Sequence, residues 1–147
     1  MSSTQNQFRT RTVTPPEKIK REWHIIDAKG LVLGRISTKA AQLLSGRRKV
    51  SWSPQQDIGD HVIVINATEV TVTGNKASQR EYFRHSGYIG NLKSETLGDL
   101  MERRPTEVIR RSVMGMLPRT RQRQHMIKRL HIYKDASHPY TDQLTSK

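Results

Sequence analysis

The stretch WHIIDAKGLVLGRISTKAAQLLSG, residues 23–46, decides the fold. Its first six residues are short, apolar and β-branched, which reads as a strand. Lys29-Gly30 turns the chain. Beyond the turn, Leu33, Ile36, Ala40, Leu43 and Leu44 fall on one face of a helix, with Arg35, Lys39 and Gln42 on another. Gly46 stands where a helix ends in a left-handed residue. Strand, glycine turn and helix make the opening of a βαβ unit.

The next apolar run agrees with that opening. Residues 60–66, DHVIVIN, hold four consecutive β-branched apolar residues. Continuous rather than alternating hydrophobicity predicts a strand buried on both faces, as in a parallel sheet. Val70 and Val72 then alternate with Thr71 before a turn at Gly74-Asn75. Over residues 81–89 helix and strand signals compete, and Gly87, Gly90 and Asn91 mark a loop at their end. Thr96 with Asp99 three residues on resembles a capping box, predicting a short helix that ends at Arg104, ahead of Pro105. Ile109, Val113, Met116 and Leu117 form the apolar face of a further helix, and Met126, Ile127 and Leu130 form another apolar arc. A short strand follows at residues 131–133. Right-handed βαβ connections then give a small, mostly parallel sheet with helices on its faces.

Charge sets the class of partner. The 147 residues carry 26 Lys and Arg against 13 Asp and Glu, a formal net charge of +13. Residues 103–134 alone hold ten of those cations against one acid, Glu107. An excess of this size calls for an anionic partner. The longest apolar run, residues 62–65, is far short of the ~18–20 residues that span a bilayer. The chain has no cysteine, which excludes disulfides and thiolate metal sites.

The cations gather beside recognisable elements. Arg47, Arg48 and Lys49 follow the first helix, with Trp52 close behind. Three cations in a row exceed what the helix dipole uses, and the aromatic ring can stack on a base or ribose. Arg80, Arg84, His85 and Ser86 form a second group, and Arg103, Arg104, Arg110 and Arg111 a third. Arg119, Arg121, Arg123, Lys128, Arg129 and Lys134 form the fourth, with Pro118 just ahead of them, while Arg35, early in the first helix, and Lys76, after the Gly74-Asn75 turn, stand singly. Arginine suits bidentate phosphate contact. With no RNA-recognition consensus in view, the pattern points to shape and phosphate recognition of folded RNA.

Catalysis has no comparable signal. Gly30 and Gly34 sit where phosphate binds in some βα turns, but Gly-Leu-Val-Leu-Gly-Arg matches neither dinucleotide nor P-loop spacing. These glycines are assigned to the turn and to close helix–sheet packing. The six histidines show no metal-ligand spacing, and His24 and His61 read as packed strand residues. Asp57 and Asp60 read as turn caps or partners of nearby arginines, with acid–base work as the alternative. No metal or other cofactor is expected.

Several of these segments also occur together, and in order, in one known family. WHIIDAKGLVLGR (23–35), GDHVIVINA (59–67), VTVTGNK (70–76), HSG (85–87), RRPTEVI (103–109) and VMGMLP (113–118) resemble the family of the thirteenth protein of the bacterial large ribosomal subunit. The resemblance runs from about Trp23 to Tyr133. It implies a three-layer α/β/α domain with a four-stranded, mostly parallel sheet. It also implies a non-enzymatic role in binding large-subunit ribosomal RNA early in assembly, beside neighbouring large-subunit proteins. Residues 115–118 and the basic helix after them correspond to an RNA-facing edge. Residues 46–49 and 82–87 correspond to further family turns. The chain departs from the family at Arg121-Gln122-Arg123 and at residues 138–143. The resulting division is a basic arm over 1–22, extended and either disordered or ordered on RNA rather than a targeting signal; an α/β domain over 23–134; and a tail over 135–147. Neither a membrane nor a small-molecule substrate is expected, and the location is a cytoplasmic ribosome or, alternatively, an organellar one.

Overall fold

Strand β1 (Trp23–Asp27) pairs in parallel with β2 (His61–Ile65), and β2 pairs in parallel with β5 (Leu130–Ile132). The computed structural model describes residues 19–145, so most of the expected basic arm lies outside the described residues. Helix α1 (Leu33–Leu44) makes the first crossover, and Gly46 ends it at φ +70°. Val62, Ile63 and Val64 are fully buried, as their unbroken hydrophobicity predicts.

The parallel sheet has three strands where four were expected. Residues 67–69 form a 3₁₀ turn after Asn66 enters the left-handed region at φ 57°. Thr71 then makes a single parallel bridge to Val32, with Leu33 N–H donating to Thr71 O at 3.0 Å. The alternating Val70–Val72 segment is therefore spent on fastening the turn before α1, and no fourth strand forms. A short helix α2 (Lys76–Gln79) leads instead into an antiparallel hairpin, β3 (Glu81–His85) with β4 (Leu92–Thr96). β4 escapes the sequence reading, although Leu92, Ser94 and Thr96 alternate with Lys93 and Glu95 behind a glycine turn.

Helix α3 (Leu97–Arg103) starts as anticipated. The Thr96 hydroxyl accepts from Asp99 N–H at 3.2 Å and donates to the Asp99 carboxylate at 2.6 Å. Helix α4 (Pro105–Met116) follows with proline in its first turn. Ile109, Val113 and Leu117 are buried, but Met116 is 45% exposed and its sulfur accepts from the Thr38 hydroxyl. The helix stops at Met116, and extended backbone at Leu117 turns that leucine inward in its place.

Helix α5 (Arg123–Lys128) closes onto the sheet through Met126 and Ile127. One core joins Ile26, Val62, Val64 and Leu130 of the sheet to α1, α4 and α5. Each fully buried aliphatic side chain there contributes about 1.5–3 kcal/mol relative to exposure. Gly30 serves its turn at φ +66°, whereas a Cβ at Gly34 would meet nothing within 4 Å, so Gly34 is not required for close packing.

The other sheet face is aromatic. Trp23 stacks on His61 at 4.2 Å and on Tyr140 at 4.9 Å, and His131 lies 5.6 Å from Trp23. Residues after 134, expected as a tail, thus return Tyr140 to the sheet and continue into α6 (Thr141–Thr145). Burial holds the His61 imidazole below its usual range, helped by the nearby Arg129 charge, and burial followed by Arg110 does the same to His131. The unfolded chain therefore takes up protons near the ordinary histidine value of ~6.5, where the folded chain does not. Folding stability is expected to be fully present above about pH 6.5 and to fall as pH drops below it toward the depressed values. Urea midpoints between about pH 7.5 and 5.5 measure this, and an unchanged midpoint would refute it. Replacing both histidines by Gln should flatten the slope.

Candidate nucleic-acid interface

The cations separate into those held inward by carboxylates and those left facing solvent. Arg129 is the clearest of the first kind. It is 8% exposed, and its guanidinium forks onto Asp57, donating from Nη1 at 2.6 Å and from Nη2 at 2.5 Å. Nη2 also donates to Leu44 O at 3.2 Å, at the end of α1. Arg129, expected among the RNA contacts, thus has its guanidinium turned inward onto a carboxylate rather than toward solvent. Lys49 is likewise occupied: its ammonium donates to Asp60 at 2.5 Å, to Ile58 O at 3.0 Å and to Lys20 O at 2.8 Å. Asp57 and Asp60 thus oppose basic residues, and Asp60 also faces His24 Nε2 at 3.3 Å. Arg123 donates to Met114 O through Nε at 3.0 Å, and it closes one of the open carbonyls at the end of α4.

Cations facing solvent line several hollows, three of which bear on the expected contacts. The first, about 740 Å³, lies between the β3–β4 hairpin and helices α3 and α4, and takes Arg84, Arg103, Arg104 and Arg111. Two of them carry partners: Arg103 pairs with Glu95, and Arg111 donates to Glu107 at 2.9 Å while lying 5.1 Å from the Tyr82 ring. The same hollow holds Lys93, which sequence reasoning misses. Lys93 stands directly across the hairpin from Arg84. Like charges at such a position destabilise the strand pair unless an anion lies between them. Because Lys93 is a lone lysine in its stretch of sequence, only strand pairing reveals its neighbour.

A second hollow shares Arg84 and Lys93 and adds His85, Ser86 and Asn91. The His85 ring accepts Gly87 N–H at 2.9 Å, which fixes the imidazole at the hairpin tip. The third, about 310 Å³, brings the turn after α1 against the turn after α4: Arg47, Trp52 and Pro118 line it together with Thr120 and Gln122. Arg47 lies 5.7 Å over the Trp52 ring. Arg48, Arg119 and Arg121 are exposed beside these residues in sequence. Arg35, Lys76, Arg110, Lys128 and Lys134 are exposed on other parts of the surface. Among the described residues, no group of His, Asp and Glu could hold a metal ion, and no helix is long and apolar enough to cross a membrane.

Comparison with known proteins agrees over nearly the whole described chain. A family model described as ribosomal protein L13 matches residues 21–139. The large ribosomal subunit protein uL13 of a Nitratiruptor species is 46% identical over 135 residues, 92% of this chain and 96% of that protein. Its namesake from Pelobacter propionicus is 43% identical over 127 residues, 86% of this chain and 89% of the relative. That of Geobacter sulfurreducens is 40% identical over 136 residues, 92% and 95% of the two chains.

Proposed function

The chain belongs to the ribosomal protein L13 family, and from that premise we propose that it binds large-subunit ribosomal RNA and supports early assembly of the large subunit. The role is structural and non-enzymatic. Neighbouring large-subunit proteins are its further partners, and its place is the ribosome, in the cytoplasm.

One observation carries the RNA-binding reading. Arg47 lines one hollow together with Pro118 and Thr120, far apart from it in sequence; Arg48, Arg119 and Arg121 are exposed next to these residues in the chain, and none of the four arginines has a carboxylate partner among the described residues. Arg84, Lys93 and Arg104 repeat the pattern beside the hairpin. Arginines held on a rigid α/β scaffold neutralise closely spaced phosphates, and release of the RNA's counterions supplies much of the affinity. Contact with about 6–10 phosphates would lower affinity by about 10³–10⁵ between 50 and 200 mM salt, on a scale calibrated with duplex DNA. Filter binding to large-subunit RNA measures it, and a flat salt response would sink the mechanism. Absence of the chain from the large-subunit fraction of a sucrose gradient would defeat the ribosomal placement itself.

The solvent-facing arginines make a sharper test. Replacing Arg119 and Arg121 together by Ala is expected to leave circular dichroism unchanged and to reduce the slope of log affinity against log salt by about 1–2. Arg123→Ala should behave differently. Its loss uncaps Met114 O and should cost about 1 kcal/mol of folding stability. An identical salt slope in the double variant would remove Arg119 and Arg121 from the interface.

A further inference from the structure

The hollow between the turn after α1 and the turn after α4 differs in chemistry from the other two. Its walls include the Trp52 ring, Pro54, Pro118 and Met126, and Met126 is buried, so it forms the floor. Ser45, Ser53, Gln56, Thr120 and Gln122 add polar groups to the lining. The Arg47 guanidinium lies over the Trp52 ring, 5.7 Å from its centroid, so one wall is both aromatic and cationic. Arg48, Arg119 and Arg121 are exposed and adjoin the lining residues Arg47, Pro118, Thr120 and Gln122 in sequence.

The walls are also tied together. Gln122 Nε2, at the start of α5, donates to Gln55 O at 2.7 Å across 67 residues of sequence. Trp52 N–H donates to Lys49 O at 3.1 Å, and Gln56 N–H to Ser53 O at 3.2 Å, which folds the loop into consecutive turns. The hollow is therefore formed before anything enters it, and at about 310 Å³ it is large enough for one planar group.

An aromatic-walled hollow with one cation in its wall and three more adjoining that wall in sequence fits a ligand that is planar and weakly polar at its centre and anionic on both sides. Phosphate alone would have no use for Trp52, Pro118 and Met126, and an apolar peptide would leave the arginines unmatched. An unpaired base of single-stranded RNA satisfies both, because unstacked bases lie on aromatic rings and guanidinium planes and hydrogen-bond through their edges. We propose that this hollow receives one unpaired base of the bound RNA, stacked against Trp52 and Arg47, while Arg48, Arg119 and Arg121 hold the phosphates on either side. The proposal rests on the RNA-binding reading above and adds base recognition to it.

Tryptophan emission offers the test, since the chain has only Trp23 and Trp52. The full chain would be titrated at low salt with a ten-nucleotide oligoadenylate, with an abasic ribose-phosphate oligomer of the same length, and with adenosine monophosphate. The oligoadenylate is expected to quench emission to saturation, and Trp52→Phe should remove the saturable part. The abasic oligomer should bind about tenfold or more weakly without that quench, in line with the worth of one stacked base. Equal affinity for both oligomers with no Trp52 quench would overturn the base pocket while leaving phosphate-driven RNA binding intact. Failure of both oligomers to bind would overturn the RNA reading as well. Quenching by the free mononucleotide at concentrations as low as the oligomer requires would identify a nucleotide site instead, and would also overturn the proposal. The abasic comparison uses the unaltered chain, so it decides the matter even if Trp52→Phe folds poorly.

Discussion

Asp57→Ala is expected to destabilise the fold by about 3–5 kcal/mol, a large share of the ~5–15 kcal/mol that holds a domain together. The variant strands the Arg129 guanidinium, whose side chain is 9% exposed, with Leu44 O as its remaining acceptor. Water cannot reach that charge well enough to replace the carboxylate, so its desolvation goes uncompensated. Urea denaturation provides the measurement. Replacing the pair together, as Asp57→Ala with Arg129→Met, should recover most of the loss, because no buried charge then remains. A single-variant cost below about 1 kcal/mol would show that the pair is screened like a surface ion pair. The same experiment separates Arg129 from the RNA surface. In the double variant, RNA affinity should be nearly unchanged at temperatures where the chain is folded.

Gly59→Ala should be at least as damaging, by a different route. A Cβ at position 59 would lie 1.7 Å from the Leu44 carbonyl oxygen and 2.5 Å from its carbonyl carbon. Neither atom can yield, because Leu44 is the fully buried last residue of α1. The loop must instead lift away from the helix. Lifting it strains the Asp60 N–H bond to Leu43 O and the grip of Asp57 on Arg129. We expect a loss of about 4 kcal/mol or more, beyond the ordinary ~1–3 kcal/mol of overpacking. Thermal unfolding followed by circular dichroism would show it. A shift of only a few degrees would mean that the backbone relaxes where the structure leaves it no room.

These two sites lie in a loop whose sequence, Asp-Ile-Gly-Asp, says little on its own. Its acids read as turn caps or as arginine partners, with acid–base work as the alternative, and nothing in the loop chooses among these. Arg129 is one basic residue among many in its segment, and pattern alone groups it with its solvent-facing neighbours. Its partner stands 72 residues earlier. Lys93 is overlooked for a related reason, since its significance comes from lying opposite Arg84.

Local pattern is enough elsewhere. Periodicity places α1 and most of the buried face of α4, the run of β-branched residues places β2, and Thr96 with Asp99 marks the start of α3. Met116 misses its buried place because the helix ends beneath it, which a periodic pattern continued through Leu117 does not register.

By itself, then, the sequence determined the strand, glycine turn and helix over residues 23–46, the buried parallel strand after it, the cationic character of the surface and the family. Those features depend on residues close together in the chain, whose spacing fixes which side chains share a face. Tertiary structure alone decided that three strands rather than four make the parallel sheet, that Arg129 and Lys49 turn inward, and that Arg47 and Trp52 meet Pro118 across one hollow. A charge reads the same in sequence whether it meets water, a carboxylate or a phosphate. Its role is settled by what the folded chain brings within a few ångströms of it.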